Sequence, residues 1–114
     1  MIRTTVSVRI DMPGFHCWPD APKHRAYLRS PHYHVFGVVA TMPVSHGDRD
    51  VELHDMREAV GAALTRLFPG GDLGSQSCEH IAARLLGELP GLSEVTVSED
   101  EFHWATARRE GGSK

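Results

Sequence analysis

The stretch His32-Tyr33-His34-Val35-Phe36-Gly37-Val38-Val39-Ala40-Thr41-Met42 decides how the rest of the chain is read. Its β-branched and aromatic residues make it a strand over residues 32–42. Residues i and i+2 of a strand project from one face, about 6–7 Å apart at the backbone. His32 and His34 therefore share a face. Two imidazoles so placed can share one metal ion at about 2.0–2.1 Å per bond. The plainer reading of the same pair is a polar strand face turned to solvent.

Towards the N-terminus, residues 2–10 alternate strictly, with Ile2, Thr4, Val6, Val8 and Ile10 on one side and Arg3, Thr5, Ser7 and Arg9 on the other. A period of two marks a half-buried strand. Asp11-Met12-Pro13-Gly14 is expected to end it, because proline cannot donate to a ladder and Pro-Gly favours a turn. Residues 14–31 then read as a long irregular loop with Pro19, Pro22 and Pro31 and the aromatic anchors Phe15, Trp18 and Tyr27. Loops of that length inside a small domain usually serve function.

Towards the C-terminus, Pro43 to Asp50 forms a turn and the period changes. Leu53, Met56, Val60, Ala63, Leu64 and Leu67 recur at three and four, the stripe of an amphipathic helix over residues 52–68, stopped by Pro69-Gly70-Gly71. A second helix runs from Cys78 to Leu89, capped by Ser77, with Glu79 in its first turn and Ile81, Ala82, Leu85, Leu86 and Leu89 as its buried stripe. Val95, Val97 and Glu99 alternate along a third strand and Phe102, Trp104 and Thr106 along a fourth, with Asp100-Glu101 as a tight connection. The order β-β-α-α-β-β implies an α+β domain spanning residues 1–109, with a four-stranded antiparallel sheet and both helices on one face. Residues 110–114 read as a disordered tail. The uncovered sheet face points to oligomerisation.

Composition narrows the function. The chain has 114 residues, 40% of them hydrophobic, and a net charge of −3, which suits one domain and excludes the strongly basic surface of a nucleic-acid binder. Two distant cysteines, Cys17 and Cys78, are too few for a disulfide framework. With no apolar run long enough for a signal peptide or membrane span, a reducing, cytoplasmic setting is the default. Histidine is the outlier, with eight residues, five of them before residue 50. Imidazole is the commonest metal ligand.

The third ligand to join His32 and His34 is His16, placed where the chain leaves the first strand. Three histidines with an open fourth position form the pattern of catalytic zinc, whereas structural sites close all four positions. Glu99 continues the Val95/Val97 face, where a carboxylate is costly to bury unless paired. There it can hold a flat heterocycle through two adjacent N–H groups, or it has already emerged into the turn and is solvated. Lys23, Arg25 and Arg29 either rim the pocket, which suits a phosphate- or carboxylate-bearing substrate, or form a solvated basic loop.

At these residues the chain resembles the T-fold (tunnelling-fold) family of 6-pyruvoyl-tetrahydropterin and 6-carboxytetrahydropterin synthases. Phe15-His16 is similar to the family's first zinc ligand and His32-Tyr33-His34 to its paired ligands, usually His-Gly-His. Ser77-Cys78-Glu79-His80-Ile81-Ala82 is similar to the Thr-Ser/Ala-Glu-Asn opening of its second helix, and Val97-Ser98-Glu99-Asp100 to the Glu-Thr element that anchors the pterin ring. The resemblance implies a homotrimeric barrel, often stacked into a hexamer, with zinc at His16, His32 and His34. It also implies a pterin- or purine-like substrate held by Glu99 and Glu79, with Arg25 of the basic loop as a further substrate-binding candidate.

Two departures qualify the implied chemistry. The family's cysteine, four residues before the paired histidines, is Leu28 here. Its Asp-His pair between the helices is absent from Gly70-Gly71-Asp72-Leu73-Gly74-Ser75. Cys17, His24 and Tyr27 are the candidate replacements for proton transfer, Cys17 foremost. Cys78 sits at a helix start that would lower a thiol pKa, against a plain packing role. The resulting expectation is a zinc-dependent lyase with a variant reaction, as in modified-base or deazapurine synthesis. The alternative is a zinc-containing T-fold module that binds the ligand without turnover.

Overall fold

The computed structural model describes residues 1–110; of the expected tail, residues 111–114 lie outside the described residues. The chain forms four strands, β1 (Thr4–His16), β2 (His32–Val44), β3 (Glu94–Ser98) and β4 (Trp104–Arg108), in one antiparallel sheet of order β1-β2-β3-β4. Two helices, α1 (Leu53–Leu67) and α2 (Cys78–Glu88), separate the second and third strands. The β-β-α-α-β-β order read from the sequence is the order found.

One face of the sheet carries the core. Val8, Met12, Phe36, Val38, Ala40, Val95 and Val97 form one cluster with Met56, Val60, Ala63 and Leu64 of α1 and Ile81, Ala82, Leu85 and Leu86 of α2. The opposite face is mixed, with Tyr33, Val35 and Trp104 exposed on it beside polar pairs. Ser7 Oγ and Thr41 Oγ1 lie 2.7 Å apart, Thr96 and Thr106 pair at 2.8 Å, and Arg9 donates to Asp11 at 2.8 Å.

Local chemistry fixes the helix starts. Ser77 accepts from the His80 N–H, and the His80 imidazole meets the Ser77 backbone in return, a reciprocal capping box that satisfies donors the first turn cannot. The Glu52 carboxylate accepts from the N–H groups of His54 and Asp55 at the start of α1.

The first strand is longer than its sequence suggests. Pro13-Gly14 does not end it: alternation continues through Met12, Gly14 and His16, all inward and buried. β1 is an edge strand, where a proline is tolerated because one flank has no ladder to supply, and Pro13 is exposed. Gly14 is needed for close packing, since a Cβ there would stand 3.0 Å from the Gly71 carbonyl oxygen and 3.0 Å from Leu73. The irregular stretch is correspondingly shorter and contains a 3-10 segment, Lys23–Arg29, with no buried residue. Tyr27, expected as an anchor, is 70% exposed.

The β3–β4 connection is five residues rather than a tight two-residue turn. The Asp100 carboxylate organises it by accepting from the N–H groups of Phe102 and His103 at 2.9 and 2.8 Å. Ser98 Oγ adds a bond from the Glu101 N–H at 2.8 Å.

Candidate metal centre

Register brings the three histidines together. His16 stands directly opposite His32 across the β1–β2 ladder, and His34 faces Gly14, one inward position further along. The ring centroids are 4.6 Å apart for His16 and His32, 5.6 Å for His16 and His34, and 5.1 Å for His32 and His34. Phe36, fully buried, continues the same face as their floor, with its ring edge-on to His16 and His34. Glu99, one residue beyond β3, reaches in from the neighbouring strand. Its Oε2 lies 2.8 Å from His34 Nε2 and 3.2 Å from His16 Nε2. One donor atom from each of His16, His32, His34 and Glu99 lies within 4.8 Å of the others.

The outer bonds of two rings fix which nitrogen donates outward. His16 Nδ1 is 2.8 Å from the Gln76 carbonyl oxygen, and His32 Nδ1 is 3.0 Å from that of Ser30. A carbonyl only accepts, so each Nδ1 carries the proton and donates it. In a neutral ring this leaves the lone pair on Nε2, which is how ligating histidines are held. Burial lowers the pKa of His34, and its histidine neighbours add to that, while Glu99 opposes it. Neutral imidazoles and a carboxylate form a donor set that zinc accepts readily.

The loop after α1 fastens His16 in place. Gly70, Gly71 and Gly74 adopt φ of 68°, 76° and 58°, a left-handed conformation that glycine reaches without strain. The chain folded by these turns runs beside the end of β1. Leu73 N–H donates to the Phe15 carbonyl and Cys17 N–H to the Gly74 carbonyl, both at 3.0 Å. The segment between the helices, which carries no Asp-His pair, thus has a structural task.

A cavity of about 420 Å³ opens beside the cluster. Its walls combine apolar Trp18, Leu28 and Trp104 with polar Ser75, Gln76, Glu79 and Glu99. That size and mixture suit a small organic ligand. Cys17, Cys78 and His103 also line it.

The remaining candidates divide. Cys17 and Glu79 reach the cavity; His24, Arg25 and Tyr27 do not line it, nor does any other lysine, arginine or tyrosine among the described residues. Arg25 donates to the His24 carbonyl at 3.0 Å and Arg29 to the Ala21 carbonyl at 2.8 Å. Cys78 is not activated by its helix terminus. Burial, reinforced by Glu99, Asp100 and Glu79, pushes its thiol up to about 12, and it packs against the core.

Sequence reasoning missed His103. Its Nδ1 lies 2.7 Å from Asp100 Oδ2, a pair that raises the imidazole pKa and lowers the carboxyl to about 2. The signal available was the Asp-x-x-His spacing in a turn, which had no helix or strand period to single it out.

No family model matches this sequence, and no curated protein does either. Solved structures do. The 6-pyruvoyl tetrahydropterin synthase of Caenorhabditis elegans is similar with a TM-score of 0.70 at 11% identity, over 96% of this chain and 98% of that one. An uncharacterized protein of Wolinella succinogenes follows with 0.68 at 12% identity, over 96% and 100%. A variant of the Plasmodium vivax synthase, altered at a glutamate described as a catalytic residue, gives 0.60 at 16% identity, over 93% and 98%. The chain has the fold of these synthases. At such identities the T-fold itself is what the likeness establishes.

Proposed function

We propose that this chain is a zinc-dependent enzyme of the carbon–oxygen lyase type, acting on a pterin- or purine-derived substrate that can carry phosphate. The observation that carries the reading is the histidine cluster, with the Nδ1 atoms of His16 and His32 bound outward to carbonyl oxygens, at the mouth of a ligand-sized cavity. His16, His32 and His34 would hold the ion, which when bound supplies Lewis-acid polarisation of a substrate hydroxyl or carbonyl oxygen.

The chain's own residues would do the rest. Trp18, Leu28 and Trp104 form an apolar surround for a flat ring, and the cavity carboxylates Glu79 and Glu99 are acceptors for two adjacent ring N–H groups. Proton transfer falls to His103 or Cys17. His103 has Nδ1 tied to Asp100, which leaves Nε2 to exchange a proton, and Cys17 adjoins the first ligand. With Leu28 in place of the family's cysteine, the reaction is a variant of the synthase one. Assembly into a trimeric or hexameric barrel belongs to the same reading, with a cytoplasmic setting. No helix among the described residues is long and apolar enough to cross a membrane.

A second reading, a T-fold module that binds such a ligand without turnover, is favoured by Leu28 and by the Glu99 oxygen that crowds the metal ligands. Metal content of tag-free protein comes first, beside His34→Ala. About one zinc per subunit, lost in the variant, supports the metal reading, and its absence from both proteins removes it. Conversion of a dihydropterin triphosphate by the loaded protein then supports the enzyme, and stoichiometric binding without product supports the module.

A further inference from the structure

We propose that Glu99 is a fourth protein ligand of the metal, so that the site is closed by a carboxylate rather than left open with three histidines. The inference rests on the metal reading above and departs from the ring-holding role expected of Glu99.

Glu99 places one carboxylate oxygen against two imidazole nitrogens. His16 donates its Nδ1 proton to the Gln76 carbonyl, so in the neutral form that a metal requires, its ring turns the Nε2 lone pair inward. That lone pair faces Glu99 Oε2 at 3.2 Å, and an ionised carboxylate is itself only an acceptor. Two acceptors do not hold each other at hydrogen-bond distance; a cation between or beside them removes the repulsion. His34 Nε2 lies 2.8 Å from the same oxygen, so one oxygen serves two imidazoles at once.

The spacings also match a coordination shell. Ligands about 2.0–2.1 Å from a tetrahedral ion stand roughly 3.3–3.4 Å from one another. The two contacts of Oε2, at 2.8 and 3.2 Å, need to open by only a few tenths of an ångström to become edges of such a tetrahedron. Glu99 is free to make that adjustment. It lies one residue past the last paired position of β3, with its side chain still a third exposed. Glu79 then remains as the cavity carboxylate for a ring.

The test is a cobalt titration. Tag-free, full-length protein stripped of metal is loaded with Co2+, whose visible bands report ligand number and identity, and its spectrum is followed from pH 6 to 9. A three-histidine site carries a bound water that ionises near pH 7 (roughly), and its spectrum shifts accordingly. Closure by Glu99 predicts a wild-type spectrum that does not change across that range. Glu99→Gln is expected to weaken Zn2+ binding at least tenfold in chelator competition and, where Co2+ stays bound, to gain the water titration. A wild-type spectrum that already titrates near neutrality, and is unaltered in the variant, overturns the fourth ligand while leaving the metal reading intact. Failure of the wild type to bind either ion overturns both.

Discussion

Substituting alanine at two adjacent glycines separates backbone strain from steric conflict at the loop that fastens His16. Gly70 and Gly71 both have left-handed φ, 68° and 76°. An L-residue in that region costs about 1–2 kcal/mol. At Gly70 nothing lies within 4 Å of an added Cβ, so Gly70→Ala should cost only that amount. At Gly71 the Cβ would stand 2.7 Å from the Pro13 carbonyl oxygen and 3.2 Å from the Gly14 Cα. Both are backbone atoms, which cannot swing aside as a flexible side chain would. The strand must move, and overpacking of this kind costs a further ~1–3 kcal/mol. Gly71→Ala is therefore expected to lose about 2–5 kcal/mol. Urea unfolding followed by circular dichroism reads the difference. With a slope of about 1.5 kcal/mol per molar, the two midpoints should lie about 1 M apart, Gly71→Ala lower. Because the displaced chain carries the bonds to Phe15 and Cys17 on either side of His16, metal affinity should fall in Gly71→Ala and hold in Gly70→Ala. Equal midpoints, or a lower one for Gly70→Ala, would refute the claim that close backbone approach, rather than φ alone, requires glycine at position 71.

Three further outcomes are expected. Ser77→Ala should lose about 1 kcal/mol in the same assay, because the first turn of α2 loses its side-chain acceptor. The His103 imidazole, followed by NMR, should titrate above its ordinary 6.5 and return towards it in Asp100→Asn, since the hydrogen bond it donates to Asp100 is the leading cause of the rise. A raised histidine pKa contributes stability below the unfolded value that is lost as pH climbs through the folded one. The lowered Asp100 contributes above its unfolded 3.8 and loses it as pH falls through about 2, so the pair acts between these limits. Cys78, with its thiol near 12, should alkylate at pH 8 roughly a hundredfold or more slowly in folded protein than in denaturant; equal rates would show that burial does not hold the thiol protonated.

The secondary elements were legible in the sequence because each rests on a local regularity. Alternation from Ile2 to Ile10 fixed the face of β1, the three-and-four spacing from Leu53 to Leu67 marked α1, and Ser77 announced the start of α2. His32 and His34 could be assigned to one face from period two alone. The end of β1 was not legible, because Pro13 reads as a breaker unless the strand is known to lie at a sheet edge. The position of His16 opposite His32 is a matter of register, which residues distant in sequence decide together. The same is true of Glu99, brought to His34 only when β3 pairs with β2, and of the Gln76 carbonyl that orients the His16 ring. The Asp100–His103 pair depends on a turn geometry that no periodicity encodes. Sequence thus determined which residues could form strands, helices and inward-facing donors. Tertiary structure alone decided which donors meet, because a metal site is set by distances of a few ångströms between elements whose mutual placement is fixed by the packing of the whole core.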